Sequence, residues 1–424
     1  MNAIIPPSYQ QSHQRAEYVY NGLLKEIKNS RTIYVGGTNA PGESEFLVSL
    51  YPHLIFVDDN KAGSQIFGRS VISTQDLARK ADYRDFLINN CFTAPGFNHF
   101  SRQSDSLGIP TCSTLEAMAP HYKNGVVLNF PGLISVYGPA FHWHTFNHIE
   151  KYSSLRNRFS DKLSLRTFDS LVEYRLSGNP NLLQNIAVGH NMGTLRHDSY
   201  ILNSQFFSLN SNEVFIDAGA LDGASSQFFI DSVKGEFDKV VMFEPSSESL
   251  IKCRETVKNI AQKYPDKSIQ QKIDVVSAGL YDHQGILSLS LSLFSQDVTD
   301  HHGTLPQTAH ILDTGLTNAF VEKGNEYQVI EVPVTTLDDY LGDNPATFIK
   351  FEIEGSEVAA LHGAINTIKK NKPKLALSIY HRPQDLELIM DFVDGLELGY
   401  EYALRAHNPY CPDAIVLYCW TPPR

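Results

Sequence analysis

The chain has 424 residues, enough for two or three domains, and its 42% hydrophobic and 19% charged content is that of a folded globular protein. A formal net charge of -12 excludes a general nucleic-acid binder, which needs a basic surface to displace counterions from phosphates. The five cysteines (Cys91, Cys112, Cys253, Cys411 and Cys419) contain no C-x-x-C, so reduced thiols in a cytoplasm are expected rather than a disulfide framework or a zinc finger.

The first residues, "MNAIIPPSYQQSHQ", lack the basic and long apolar regions of a signal peptide. No run of about 18 apolar residues occurs, so no membrane span is expected. From residue 15 to about 130, strand and helix signals alternate: "RTIYVGGTNAPGESEFLVSLY", "HLIFVDDN", "GRSVIS", "TQDLARKA", "DFLINNCF" and "GIPTCSTLEAMA". This rhythm predicts an α/β domain with a parallel sheet covered by helices. Residues 131–205 read as a helical connector, with the aromatic and histidine-rich "FHWHTFNH" and the helically spaced "SLRTFDSLVEYRLSG". Of His142, His144 and His148 there, only His144 and His148 share the helical i, i+4 spacing, so metal binding is the lesser reading and no metal site is expected. His301 and His302, in "HHGT", read as a solvated loop.

From Glu213 onward the α/β rhythm resumes. "EVFIDAGA", "KVVMFEP", "IDVVSAGL", "TFIKFEIE", "KLALSIYH", "EYALRAHN" and "AIVLYCW" make seven candidate strands, with helices such as "SSESLIKCRETVKNI" between them. Only a short turn separates the last two strands, which predicts one antiparallel edge strand on an otherwise parallel sheet. "GILSLSLSLF" alternates at period two and reads as an inserted hairpin arm.

Ligands of open α/β sheets bind beyond the carboxyl ends of the strands. Asp217, Gly219 and Gly223 lie at that edge of the first strand of this region, in the pattern D-x-G-x-x-x-G rather than the G-x-G-x-x-G of a dinucleotide cradle. Glu244 ends the second strand, where an acid can accept hydrogen bonds from a ribose diol. The pair suggests an adenosyl ligand without phosphates.

These motifs resemble those of the FkbM-type methyltransferases, enzymes dependent on S-adenosylmethionine (SAM), over roughly residues 206–424. "EVFIDAGALDGASSQFF", "VMFEPSSESL" and "VVSAGLYDHQG" are similar to the family's first three motifs. "VPVTTLDDYL", "FIKFEIEGSEVAALHGA" and "PKLALSIYHRPQDL" are similar to its later ones. The resemblance implies a Rossmann-like, seven-stranded class I methyltransferase domain. On it, Asp217, Gly219, Ala220, Asp222, Gly223, Ser225, Glu244 and Ser277 are the expected SAM-binding residues. Glu352 and Ser277 depart from the family's usual Asp and Asn. The region before it is similar to Rossmann-like domains attached to sugar-modifying enzymes and to longer FkbM-type proteins, and its glycine loop "VGGTNAPGES" carries no clean cofactor signature.

The expected reaction is O-methylation of a saccharide or related polar metabolite, with the N-terminal domain helping to recognise a small-molecule or glycan acceptor. His381, which ends "LSIYH" and titrates near neutrality, is the candidate base, with Glu354 and Glu352 orienting the acceptor. Arg382 beside it could hold an anionic group. A ligand-sensing protein without catalysis remains open, as does a nucleotide-sugar oxidoreductase or epimerase using the N-terminal domain. Oligomeric state is open too.

Overall fold

The apolar runs of both α/β regions fold as short strands buried on both faces, as a parallel sheet covered by helices requires. The structure is a computed structural model that describes residues 7–38, 41–91, 93–123, 138–187, 201, 208–292, 309–311, 327–408 and 415–422. The chain forms two compact units. One contains Met1–Asn157, Arg166–Ala187 and Asn408–Pro412; the other contains Arg158–Leu165, Val188–His407 and Asp413–Arg424.

The first unit holds strands β1 (Ile33–Gly36), β2 (Ile55–Val57), β3 (Gln65–Ile66), β4 (Arg69–Ile72), β5 (Phe86–Asn89) and β6 (Thr111–Ser113). Their order is β3-β4-β2-β1-β5-β6, and β3 alone runs antiparallel to its neighbour. Helices including Pro41–Leu50, Thr74–Lys80, Ala94–Leu107 and Thr114–Lys123 connect them. The stretch read as a helical connector contributes the helices Pro139–Asn147, Ile149–Arg156, Lys162–Ser177 and Asn181–Gln184.

The second unit is built on β7 (Val214–Ala218), β8 (Lys239–Phe243), β9 (Ile273–Val276), β14 (Phe348–Phe351), β15 (Lys374–Ser378), β16 (Glu401–Ala406) and β17 (Ile415–Trp420). The seven strands stand in the order β16-β17-β15-β14-β7-β8-β9. One antiparallel strand is present as expected, but it is β17, one place in from the edge between β15 and β16. The outermost strand β16 therefore runs parallel to the rest. Phe215, Phe229, Phe237, Met242 and Phe348 pack one core beside the central strands.

Between β9 and β14 the chain forms β10 (Gly279–Leu280), β11 (Gly285–Ser292), β12 (Ala309–Ile311) and β13 (Tyr327–Thr335), a small separate sheet in the order β10-β13-β11-β12. The period-two run "GILSLSLS" is thus one arm of an antiparallel pair with β13. His301, His302 and Cys411 lie outside the described residues. Among the described residues no helix is long and apolar enough to cross a membrane.

Candidate functional site

The second sheet reverses its winding at its centre: from β7 the chain moves outward through β8 and β9, then returns to β14 on the other side of β7. Such a switch point leaves a crevice beyond the carboxyl ends of the two middle strands. The turn after β7 lies there. Gly219 has φ +81, and a Cβ on it would stand 1.8 Å from the carbonyl oxygen of Glu352, the residue after β14. Only glycine lets these two strand ends approach so closely. The amides of Gly219 and Ala220 both donate to the Phe243 carbonyl at 3.0 Å, which ties the turn to the end of β8. Gly223, at φ +80, then opens the helix Ala224–Ser232.

Glu244 follows β8 with its carboxylate folded over this turn. Its oxygens accept hydrogen bonds from the amides of Leu221 (2.9 Å) and Ser246 (2.8 Å). Burial raises its carboxyl to about 7, against the pull of those two amides and with a further push from Asp217. Asp217 itself is wholly buried beneath the turn, between the Lys350 ammonium (2.8 Å) and the Ser226 hydroxyl (2.6 Å). Its place is that of a brace under the loop. Asp222 accepts from the Ala224 amide at 3.0 Å, Ser225 is buried in the first helical turn, and Ser277 is exposed just beyond β9.

The neighbouring strand ends, those of β14 and β15, carry an ionic cluster. Glu357 is fully buried and accepts from the amides of Ile353 and Gly355, each at 2.9 Å, and meets His381 Nδ1 at 2.9 Å. The other ring nitrogen of His381 lies 3.3 Å from Glu354 and 3.6 Å from Glu352. Burial alone would lower the His381 pKa, but the charges of Glu357 and Glu354, with hydrogen bonds to Glu352 and Glu357, hold it well above its ordinary value. The charged imidazolium form of the ring is therefore favoured. Glu352 is pinned by the hydroxyls of Ser378 and of Tyr380, the latter at 2.5 Å. Glu354 stands at φ +54, a left-handed setting that costs about 1–2 kcal/mol in a residue with a side chain. The two amide bonds to Glu357 hold the backbone on either side of it in that bend.

Comparison with known proteins decides what this arrangement belongs to. Residues 217–402 match the family model described as the methyltransferase FkbM domain. The chain carries a methyltransferase FkbM domain. The solved structure of methyltransferase FkbM from Methylobacillus flagellatus KT is similar over nearly the whole length, with a TM-score of 0.68 and 22% identity, covering 98% of this chain and 99% of that one. At that identity the likeness establishes the fold. An O-methyltransferase from Bacillus cereus, solved with S-adenosylhomocysteine, has a TM-score of 0.30 and 10% identity, covering 61% of this chain and 90% of its own. No curated protein matches.

Within the FkbM domain, the expected site residues fall into two groups on adjacent strand ends. Gly219, Ala220, Asp222, Gly223, Ser225 and Glu244 gather around the turn after β7, while Glu352, Glu354 and His381 gather after β14 and β15. Sequence reasoning missed Lys350, Glu357 as a partner of His381, Ser378, Tyr380 and the buried Asp385, whose carboxyl is raised to about 7 by burial and by the charge of Glu357. One signal was present for Lys350: it is the only charge inside the apolar strand "FIKF" and lies in register opposite Asp217, the only charge inside "VFIDA". As potential metal donors, Glu352, Glu354 and His381 each offer a ligand atom within 4.8 Å of one another.

The first unit has an analogous switch point between β1 and β5, where polar side chains of the unit bond one another. Asn90 donates to the Gly37 carbonyl (3.3 Å) and the Ser44 hydroxyl (3.1 Å) and accepts from Thr114 (2.8 Å). Asp58, after β2, is held by the Thr38 hydroxyl at 2.5 Å and by the Asn60 amide at 2.9 Å. His142 is buried with Nδ1 on the Tyr20 hydroxyl, and burial lowers its pKa to about 4.

Proposed function

We propose that the FkbM domain transfers the methyl group of SAM to a hydroxyl of a saccharide or related polar metabolite. The observation that carries this reading is Glu244. Its buried carboxylate joins the end of β8 to the glycine turn after β7, at the switch-point crevice, where an acid accepts the hydroxyls of a ribose. Gly219, Ala220, Asp222, Gly223 and Ser225 would line the nucleoside and methionine portions, with Ser277 at the rim.

The acceptor would lie over the ends of β14 and β15, where Glu352 and Glu354 can accept hydrogen bonds from a neutral polyhydroxylated molecule. As the oxygen–carbon bond forms, the carbon–sulfur bond of the sulfonium breaks, leaving S-adenosylhomocysteine, and the hydroxyl proton must be taken up. His381 carries its own proton at neutral pH and is a poor base there. Glu352 has its oxygens engaged by Ser378 and Tyr380. Glu354, with 27% of its side chain exposed and 3.3 Å from His381, is the carboxylate this reading assigns to take the proton, and His381 steadies both acids as a cation. The base expected from the sequence thus becomes a positioning residue in this reading.

Titration calorimetry with S-adenosylhomocysteine, followed by transfer of labelled methyl from SAM to a pool of saccharides, tests the proposal. Stoichiometric binding and label in a base-stable ether are expected. A folded protein that binds no S-adenosylhomocysteine overturns it.

A further inference from the structure

Lys350 is 2% exposed, in the middle of the central strand β14, and directly opposite Asp217 of β7. Its ammonium donates to Asp217 and to the carbonyl of Gly219, both at 2.8 Å. Asp217 in turn accepts from Ser226 in the first helical turn. A lysine in such a place is expensive to bury, and a buried ion pair is in general weak evidence for stability, because well-packed apolar residues of similar volume do as well or better. What apolar residues cannot do is grip a carbonyl.

The grip falls on the turn that Glu244 closes from the other side. The Gly219 and Ala220 amides are bound to Phe243, the Leu221 amide to Glu244, and the Asp222 carbonyl to the Thr256 hydroxyl at 2.7 Å. Among the described residues, Lys350 is the hydrogen-bond donor to the carbonyl of Gly219. With its carbonyl released, the Gly219–Ala220 peptide can rotate, and rotation would carry the Ala220 amide off Phe243.

We propose that Lys350 is a positioning residue for the SAM-binding turn: it sets the Gly219 peptide from below, and Asp217 is there to hold Lys350 in place. This inference rests on the functional reading above and concerns binding of the nucleoside rather than the methyl-transfer step, so loss of the Lys350 ammonium should raise KM for SAM far more than it lowers kcat.

Two neutral replacements of the pair separate positioning from structure. In Lys350→Met/Asp217→Asn no buried charge is left unpaired, so thermal stability should stay close to that of the native protein, yet nothing holds the carbonyl. In Lys350→Gln/Asp217→Asn the charge is the same but an amide donor is restored. Calorimetry with S-adenosylhomocysteine should give an affinity about tenfold or more weaker for the Met/Asn protein, the loss of one hydrogen bond to a charged donor, and a recovery to within about threefold for the Gln/Asn protein. Either variant suffices if the other does not fold. A folded Met/Asn protein that binds as tightly as the native one, or a folded Gln/Asn protein as weak as expected for Met/Asn, overturns the inference. If the native protein fails to bind S-adenosylhomocysteine, the functional reading falls and takes the inference with it.

Discussion

Glu357 and His381 meet at 2.9 Å in a fully buried pair, and the same Glu357 carboxylate binds the amides of Ile353 and Gly355. One side chain therefore sets the charge of the imidazole and the bend of the loop that presents Glu354. Burial works against the charged forms of both partners, and each is nonetheless shifted toward its charged form. Glu357 lies below its ordinary 4.5, through the charge and hydrogen bond of His381 and the amide of Ile353; His381 lies well above its ordinary 6.5.

The signs fix a pH window for stability. The contribution of Glu357 is complete above 4.5 and fades as pH falls through its lowered value. That of His381 is complete below 6.5 and fades as pH rises through its raised value. Glu357→Ala should cost about 3–5 kcal/mol, the usual penalty for breaking a buried pair from one side. Urea unfolding of the native protein and the variant should differ most between pH 4.5 and 6.5, with the difference shrinking only well into the alkaline range. A difference independent of pH would mean that packing, not charge, holds the two together.

Glu244 predicts a pH dependence of a different kind. Its carboxyl is raised to about 7 in the free protein, whereas a ribose diol needs the ionised acceptor. Binding of S-adenosylhomocysteine should therefore tighten as pH rises, and the dissociation constant should fall about tenfold between pH 6 and 8. Glu244→Ala should bind more weakly by about 1.5–3 kcal/mol and lose that dependence. Calorimetry at constant ionic strength reads both. A flat profile in the native protein removes Glu244 from the ribose.

The α/β rhythm, the seven strands and the glycine turn after β7 were legible because each is a local signal: a short apolar run, a glycine where φ is positive, an acid at a strand end. The place of β17 inside the sheet was not, since adjacency in sequence says that β16 and β17 pair but not which of them also reaches β15. Nor was the protonation of His381. Glu354 and Glu357 are 27 and 24 residues away, so the charges that govern it come together only when β14 and β15 pair in parallel. Taken alone, a histidine at a strand end reads as a base; three carboxylates around it push its pKa above the ordinary value and favour the charged form.

Gly219 gives the most direct test of the switch-point geometry. A methyl group there would stand 1.8 Å from the Glu352 carbonyl oxygen and force φ away from +81. Gly219→Ala should destabilise the domain by about 3 kcal/mol and abolish nucleoside binding, since neither strand end can retreat without breaking the sheet. Thermal unfolding reads the first effect and calorimetry the second. Native stability in the alanine variant would show that the two strand ends are further apart than this.

The remaining prediction separates Glu354 from His381 as the group that takes the proton. If His381 were the base, turnover would require its neutral form, and activity would climb only above its raised pKa, giving an alkaline optimum. If Glu354 is the base, turnover does not wait for His381 to lose its proton, and kcat should show no rise as pH passes through the raised His381 value. Glu354→Gln should then lose about 10²–10⁴-fold in kcat while S-adenosylhomocysteine affinity stays within about threefold. His381→Gln should lower kcat less steeply and also cost stability, because it leaves Glu357 buried without its cation. A kcat that rises through the alkaline range, and a Glu354→Gln protein that keeps its activity, would return the role to His381.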